Sequence, residues 1–518
     1  MRIHFARMIP QTLETILSSR DPSFFRNLLQ PPTSSDREII AQRLSEGERE
    51  IKDCEFKIAI LLARRERLGR STQRYKALLS PINYLPTEII SSIFELLCEE
   101  NPLDPYIRAP AMTISAVCYR WRQIALSMPA LWSSLDIDFD DLNPGEGARM
   151  SRTVQMFMER SQFHPLKLRL HCSYYHKQQE IIDPTLHILV ENSSRWLELS
   201  FCSESGDSPD FAVWRRIKGR LPLLRRLDID FDPEDLFADT PALSSFTCIL
   251  YDIPELPFEQ LSHLNIKFSY TRSVLDEVLQ RCQKIQHLEL EYVHEDVEDD
   301  DPVMSEVTLM NLETLKVTLA EESTLEYSMS LLLPRLTSLE YIRRYGRYYR
   351  TWEAWDNLSF FKQSSRITNL HIEGLPISDI QMGRILTCLP GLRQFRLYEL
   401  TSDAIGESLS ISDRTITSKF FQHLIFDDKA ENTSIIPRLS ELSLRAGYEG
   451  FDASGLVKMV SSRWMPRRGI RTAVDVDCLQ SVEVRLGGDV ANELPNEFLA
   501  LESLKAAGLQ VIASVERW

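Results

Sequence analysis

The most regular hydrophobic pattern near the start of the chain is a heptad-like seam within residues 36–80. Alternate steps of three and four residues meet mostly apolar side chains, with Glu, Arg and Lys on the flanks, and Pro81 ends the helix that this spacing predicts. Two structures stay open: a coiled coil through which the chain self-associates, or one long amphipathic helix packed on its own chain. The seam positions are Leu44, Gly47, Ile51, Cys54, Ile58, Leu61, Arg65, Leu68, Thr72, Tyr75 and Leu79.

Apolar residues at helical spacing then predict a small all-α module over residues 82–135, called the helical module below. A first helix begins near Pro86, at the position where proline is tolerated in a first turn, and continues to Leu97. A polar, proline-bearing linker over 101–110 follows. The second predicted helix covers about 111–127 and stops before a further proline.

From about residue 160 onward, the motif apolar–x–x–apolar–x–apolar recurs. Most copies start roughly 18–31 residues apart, which overlaps the spacing of leucine-rich repeats. The last three positions alternate between buried and exposed, so each copy predicts a short strand, and parallel stacking of these strands with outer helices buries a continuous core. The eleven copies begin at Leu224, Leu243, Leu261, Ile285, Leu312, Leu336, Ile367, Leu392, Phe421, Leu439 and Leu479.

The array is irregular, with long connections between some copies. Outer helices are predicted over 274–282, 380–388 and 453–462. An entry strand is predicted over 166–170, a degenerate unit over 196–199 and a closing repeat over 501–513.

These patterns predict a mixed α/β chain. A long, coiled-coil-like N-terminal helix precedes the small all-α module, and an irregular leucine-rich-repeat solenoid with parallel strands and outer helices follows. The expected boundaries are a weakly ordered segment over 1–35, the heptad-like helix over 36–80, the module over 82–135, and the solenoid with insertions over 136–518.

The helical module resembles the F-box. Its opening Leu85-Pro86-Thr87-Glu88-Ile89, the pair Ile93-Phe94, the run Val117-Cys118-Tyr119-Arg120-Trp121-Arg122 and the ending Pro129-Ala130-Leu131-Trp132 occur in the family's order. With the heptad helix before it and the repeats after it, the chain resembles the F-box proteins with leucine-rich repeats of mushroom-forming fungi. One departure is the proline-bearing linker over 101–110, where many F-boxes have a short leucine-rich helix.

The resemblance implies a substrate-recognition subunit of an SCF-type E3 ubiquitin ligase. It would dock on a Skp-type adaptor, and through it on a cullin, while the repeats bind a protein substrate and the chain itself is no enzyme. A protein-interaction scaffold outside any ligase is the alternative. For some positions of the family's adaptor-binding motif, a role in the internal core is the alternative. The positions that match this motif are Leu85, Pro86, Ile89, Ile93, Phe94, Leu97, Val117, Trp121, Leu131 and Trp132.

A stretch that interleaves arginine with aromatic residues is a candidate substrate contact, because these residue types are enriched at binding hot spots. Two other roles stay open: an insertion that packs its aromatics back onto the solenoid, and binding of single-stranded nucleic acid. A second cluster over 463–471 has the same ambiguity. The candidate contacts are Arg343, Arg344, Tyr345, Arg347, Tyr348, Tyr349, Arg350, Trp352 and Trp355.

Composition and motifs narrow the function further. A formal net charge of −16 disfavours general attraction to nucleic acid or to an anionic membrane surface. The nine cysteines lack the spacing of a zinc site or a disulfide framework, and no phosphate-binding, metalloprotease or serine-hydrolase motif occurs. We therefore predict no cofactor and no metal. No signal peptide or membrane segment is recognised, which predicts a cytoplasmic or nuclear protein.

Overall fold

The computed structural model divides the chain into two compact units, Met1–Ile90 and Ser91–Trp518. The division falls inside the second helix described below. The structure describes residues 34–104, 108–140, 142–173, 175–203, 211–250, 252–269, 272–291, 307–319, 322–343, 352–399, 414–426, 435–464, 476–487 and 494–516.

The first unit consists mainly of one long helix. Helix α1 runs over Ser34–Leu78, which confirms the long N-terminal helix, and a 3-10 turn over Pro81–Tyr84 follows it. Ion pairs one turn apart, such as Lys57 with Asp53 at 2.6 Å, support the helix along its polar side. The predicted weakly ordered segment lies outside the described residues, apart from its last two positions.

The helical module contains three short α-helices and a closing 3-10 turn, which are α2 over Thr87–Leu97, α3 over Pro110–Val117, α4 over Tyr119–Leu126 and the turn over Pro129–Trp132. The single helix predicted over 111–127 is wrong, because Cys118 adopts an extended conformation (φ −155°, ψ 172°) and breaks it. The Sγ of Cys118 accepts a hydrogen bond from the Trp121 amide at 3.5 Å. Neither glycine nor proline marks this break, so it could not be read from helix-breaking residues.

The linker between α2 and α3 contributes the first strand of the repeat sheet. Strand β1, Pro102–Leu103, pairs in parallel with strand β2, Ser134–Asp138, and the carbonyl of Asn101 accepts from the amide of Asp136 at 3.0 Å. The Asn101 side chain is fully buried. Its Nδ2 reaches the carbonyls of Cys98, Leu131 and Ser134 at 3.0–3.2 Å, and its Oδ1 accepts from the amide of Ala111 at 3.1 Å.

Among the described residues, fifteen strands form one parallel sheet in which each strand pairs with its neighbours in chain order. Ten of the eleven predicted repeat copies are strands, as are the predicted entry strand and degenerate unit. After β1 the strands are β2 Ser134–Asp138, β3 Leu166–His171, β4 Trp196–Cys202, β5 Arg226–Ile229, β6 Ser245–Leu250, β7 His263–Ser269, β8 His287–Leu290, β9 Thr314–Leu319, β10 Ser338–Arg343, β11 Asn369–Glu373, β12 Gln394–Tyr398, β13 Glu441–Gly447, β14 Ser481–Gly487 and β15 Gln510–Glu516.

Helices and turns connect the strands, as a repeat solenoid requires. The three predicted outer helices are present, and none of the described helices is long and apolar enough to cross a membrane. The α-helices of this part are α5 Pro144–Ser161, α6 Tyr175–Glu191, α7 Phe211–Trp214, α8 Arg272–Arg281, α9 Glu322–Ser330, α10 Ser359–Gln363, α11 Asp379–Thr387, α12 Ser418–Leu424, α13 Ala453–Arg463 and α14 Leu499–Ala506.

Two repeat assignments need correction. The copy that begins at Phe421 is not a strand, because Phe420, Phe421 and Leu424 are the buried face of helix α12. In the closing repeat, Leu501 and Leu504 belong to helix α14, Leu509 follows the helix, and only the residues from Gln510 onward form a strand. Leucines three residues apart fit one turn of a helix as well as the start of a repeat, so spacing alone did not separate the two.

Arg463 at the end of α13 is part of the core, although the sequence places it in a basic, surface-like cluster. Its side chain is 0% exposed and donates to the carbonyls of Leu424 at 2.6 Å, Ile436 at 3.0 Å and Ile435 at 2.7 Å. Desolvation lowers the pKa of its guanidinium to about 10, so the group is still charged at neutral pH. It thereby supplies donors to three main-chain carbonyls, of which those of Leu424 and Ile436 are buried.

We expect Arg463→Met to lower the free energy of unfolding of the solenoid by about 3 kcal/mol or more, because three carbonyls, two of them buried, lose a charged donor. Thermal and urea unfolding of the full chain would measure this. Arg366→Met is the matched control, since Arg366 is exposed and its loss should change stability by at most about 0.5 kcal/mol. Equal unfolding midpoints for the two variants would contradict the structural role of Arg463.

A second prediction concerns Asn101. Asn101→Asp keeps the shape of the side chain but removes both amide hydrogens, and it places a carboxylate beside three carbonyl oxygens. We expect a loss of about 3 kcal/mol at neutral pH, with faster hydrogen exchange in α2 and β1. Asn101→Ala should be damaging but less so, because it adds no charge. An aspartate variant as stable as the wild type would show that these hydrogen bonds do not hold the linker.

Candidate docking surface of the helical module

Within the second unit, the helical module has its own small core. Phe94 of α2 is buried and meets the ring of Trp121 of α4 edge to face, with centroids 5.0 Å apart. One turn after Phe94, Cys98 is also buried, and desolvation raises the pKa of its thiol to about 11. It is therefore a neutral packing residue at physiological pH. Ile114 of α3 and Ile124 of α4 complete the buried face.

The end of the module is buried against the first outer helix of the solenoid. Trp132 is 0% exposed, its indole N–H donates to the carbonyl of Ala125 at 2.8 Å, and its ring meets Phe157 of α5 edge to face at 5.1 Å. The guanidinium of Arg160 lies 4.4 Å from the centre of the Trp132 ring. Desolvation lowers the pKa of Arg160, which Glu159 partly offsets.

Burial corrects the predicted adaptor-binding set at three positions. Phe94, Leu131 and Trp132 are each at most 1% exposed, so none of them presents a surface to a partner. Their large apolar side chains instead build the core of the module and its junction with the solenoid. The family-like motif therefore mixes residues that fold the module with residues that remain on its surface.

Two of the predicted positions on this unit are well exposed, and two apolar neighbours accompany them. Leu97 at the end of α2 is 53% exposed and Val117 at the end of α3 is 57% exposed. Leu96 and Tyr119 are each 75% exposed and were not among the predicted site residues. A helical wheel of α2 places Leu96 off the buried Phe94–Cys98 stripe, which is a signal that could have identified it.

The remaining predicted adaptor contacts are intermediate or belong to the other unit. Ile93 and Trp121 are half-buried in the second unit. In the first unit, Pro86 and Ile89 are exposed and Leu85 is half-buried. The exposed apolar set named here on the second unit, Leu96, Leu97, Val117 and Tyr119, is called the docking surface below.

The predicted substrate-contact stretch falls only partly within the described residues. Arg343 ends β10 and is half-buried, with Nη1 3.5 Å from the carbonyl of Gly374. Trp352 and Trp355 are 2% and 0% exposed, and Trp355 packs edge to face on Tyr341 at 5.7 Å. Both tryptophans therefore belong to the core, as in the alternative that the stretch packs back onto the solenoid. The other predicted contacts, Arg344, Tyr345, Arg347, Tyr348, Tyr349 and Arg350, lie outside the described residues.

The solvent-facing side of the sheet carries charged side chains in register across neighbouring strands. On β8 and β9, Glu289 pairs with Lys316. On β10 and β11, His371 has its Nδ1 4.0 Å from Glu340 and its Nε2 3.4 Å from Glu373, and the hydrogen bond from His371 lowers the pKa of the Glu373 carboxyl. These pairs make the strand face polar and give it a defined pattern of positive and negative charges.

Towards the C-terminal strands this face becomes rich in arginine. Arg396 is exposed and, with His371, lines a shallow polar depression across β10, β11 and β12. Arg445 and Arg485 are register partners on β13 and β14, and Glu516 lies 3.8 and 3.4 Å from them. Such a surface suits the polar and acidic side chains of a protein partner.

In the part of the chain that the structure describes, no group of three or more His, Cys, Asp or Glu side chains is placed to hold a metal ion. Burial raises the pKa of the Cys282 thiol to about 12 and that of Cys248 higher still, so neither is an activated nucleophile.

Comparison with known proteins agrees with the geometry of the module. An F-box-like family model matches residues 82–138. Among solved structures, the chain is similar to an internalin (inlF) from Listeria monocytogenes, with 14% identity, a TM-score of 0.32, and coverage of 71% of this chain and 90% of that chain. It is also similar to the leucine-rich-repeat ectodomain of the plant membrane receptor kinase GASSHO1/SCHENGEN3 from Arabidopsis thaliana, with 10% identity, a TM-score of 0.19, and coverage of 76% and 51%.

These two structural likenesses are too distant to add to the description of the solenoid, and among curated proteins no relative matches. The family match covers the helical module alone and carries no indication of a fungal origin, which stays a prediction. The sequence motif and the family model both indicate an F-box-like domain over residues 82–138. In the fold, this domain is followed by a solenoid of parallel strands.

Proposed function

We propose that this protein is the substrate-recognition subunit of an SCF-type ubiquitin ligase. The observation that carries the proposal is the docking surface: four large apolar side chains remain exposed on a domain that matches the F-box-like model. Several large apolar side chains left exposed on one small domain are typical of a surface that binds a protein partner. In F-box proteins that partner is a Skp-type adaptor, which in turn binds a cullin.

The energetics of the module support docking through surface residues rather than through its tryptophans. Phe94 and Trp132 already bury their rings internally, so they gain nothing from a partner. Leu97 and Val117 are more than half exposed, and covering each would remove apolar area from water at about 25 cal/mol per Å². Pro86 and Ile89 of the first unit, together with the half-buried Leu85, Ile93 and Trp121, remain proposed adaptor contacts.

The solenoid would supply the substrate-binding half. Its strand face presents Arg396 and the Arg445–Arg485 pair beside carboxylates, an arrangement that selects a partner by charge pattern more than by hydrophobicity. Trp352 and Trp355 are no longer proposed as substrate contacts. The residues of the stretch that remain proposed contacts are Arg343, Arg344, Tyr345, Arg347, Tyr348, Tyr349 and Arg350. We place the protein in the cytoplasm or nucleus, where such ligases act.

The proposed mechanism is positional, and this chain contributes no catalytic residue to it. One end binds the adaptor and the strand face binds the substrate, so the substrate is held at high effective concentration beside the ubiquitin-carrying subunits. Proteins with this architecture are typically non-catalytic adaptors.

We expect the full chain to bind a purified Skp-type adaptor and the double variant Leu97→Asp, Val117→Asp to bind it at least about a hundredfold more weakly. Two contact residues worth about 1.4 kcal/mol each would give that change. Isothermal calorimetry measures the affinity, and thermal unfolding shows that the variant is folded.

The matched control combines Met310→Asp with Ile380→Asp, which introduces the same two charges at residues that are 60% and 53% exposed on the solenoid. It should bind the adaptor as the wild type does. If the wild type does not bind the adaptor, or if the double variant binds equally well, the ligase proposal is wrong. The alternative of an interaction scaffold outside a ligase would then be favoured.

A further inference from the structure

Helix α1 exposes the whole of its apolar seam. Its large seam residues are between 55% (Leu68) and 67% (Tyr75) exposed, and the exposure of Leu44, Ile51, Ile58 and Leu61 lies within this range. An amphipathic helix gains most of its stability by covering this face, and Gly47 and Gly69 cost it about 1 kcal/mol each. A 45-residue helix with an open seam therefore calls for a partner.

The identity of the seam residues argues for a second copy of this chain, and for its direction. In a parallel pair each seam residue faces itself, so Arg65 would meet Arg65 of the other copy and Gly47 would meet glycine. The first contact sets two like charges together in the interface, and the second leaves a gap. Both faults disappear when the second helix runs in the opposite direction.

An antiparallel pair can be aligned so that the residue numbers of facing positions sum to 119. Large apolar residues then face large apolar residues: Leu44 meets Tyr75, Ile51 meets Leu68, and Ile58 meets Leu61. The poorer seam residues also meet each other, since Arg65 faces Cys54 and Thr72 faces Gly47. Because the arrangement is two-fold symmetric, every favourable layer occurs twice.

The flanks contain one unfavourable feature in this alignment. Lys57 of one helix lies beside Arg64 of the other at the rim. Lys57 already pairs with Asp53 of its own helix at 2.6 Å, and rim charges are solvated and screened, so the penalty is small beside that of two arginines inside the seam. Charge placement thus favours the antiparallel pair.

We propose that two copies of this protein associate through helix α1 as an antiparallel, two-stranded coiled coil with Cys54 of each copy facing Arg65 of the other. The proposal is independent of adaptor binding, which involves other residues. A dimer of this kind would present two docking surfaces and two solenoids in one particle.

Analytical ultracentrifugation of the full chain tests the association. The wild type should sediment as a dimer at micromolar concentration, and Leu61→Glu, which puts two carboxylates into the apolar seam, should raise the dimer dissociation constant about a hundredfold or more. Ala63→Glu is the matched control, because it adds the same charge half a turn away on the outer side of the helix. A monomeric wild type, a larger oligomer, or equal effects of the two variants would overturn the proposal.

Thiol crosslinking of the full chain tests direction and register. In the antiparallel pair the two native Cys54 residues are eleven residues apart along the axis, or about 16 Å at 1.5 Å per residue. A short bismaleimide should therefore leave the wild type uncrosslinked at Cys54, whereas Arg65→Cys should crosslink residue 54 to residue 65 of the other copy. Mass spectrometry identifies the joined peptides. Crosslinking between the two Cys54 residues of the wild type, or the absence of a 54–65 link in the variant, would contradict the proposed pairing.

Discussion

A single buried amide connects the helices of the F-box-like module to the repeat sheet. The side chain of Asn101 bonds to the end of α2, to the start of α3 and to the turn before β2, while its own backbone opens strand β1. A buried amide that lost these partners would cost several kcal/mol, so the geometry is tightly specified. The module and the solenoid therefore share one hydrogen-bonded framework, and helix positions in the former depend on strand pairing in the latter.

This shared framework explains why the apolar motif divides into two groups. Residues near the junction, above all Trp132 with its partners Ala125, Phe157 and Arg160, become core because the solenoid begins directly against them. Leu97 and Val117, the last residues of α2 and α3, are not covered in this way and remain more than half exposed. A substitution of Trp132 consequently reports on folding, whereas one of Leu97 would test the proposed docking.

Much of the fold could be predicted from the sequence, because it depends on periodicity. Copies of the repeat such as Leu227–Ile229 alternate with period two, and the parallel stack follows from their number. The segment that begins at Phe421 was predicted to be a repeat strand but forms helix α12. Apolar residues three positions apart occur both in one turn of a helix and at the start of a repeat, so the spacing did not distinguish them. The break at Cys118 could not be predicted, since neither glycine nor proline marks it. The role of Asn101 could not be predicted either, since its side chain bonds to the carbonyls of Leu131 and Ser134, which are distant in sequence. Which motif residues stay exposed is likewise a property of tertiary packing.

The spacing of strands in the parallel sheet also determines distances along the solenoid. Neighbouring strands lie about 4.8 Å apart, so a site on the strand face is offset from the module by a whole number of such steps, counted from β1. Gain or loss of one repeat would move every later site by one step without altering the residues that form it. The distance between a site on the strand face and the helical module can therefore change independently of the residues that each strand presents. Sequence changes that alter this distance need not coincide with those that alter binding specificity.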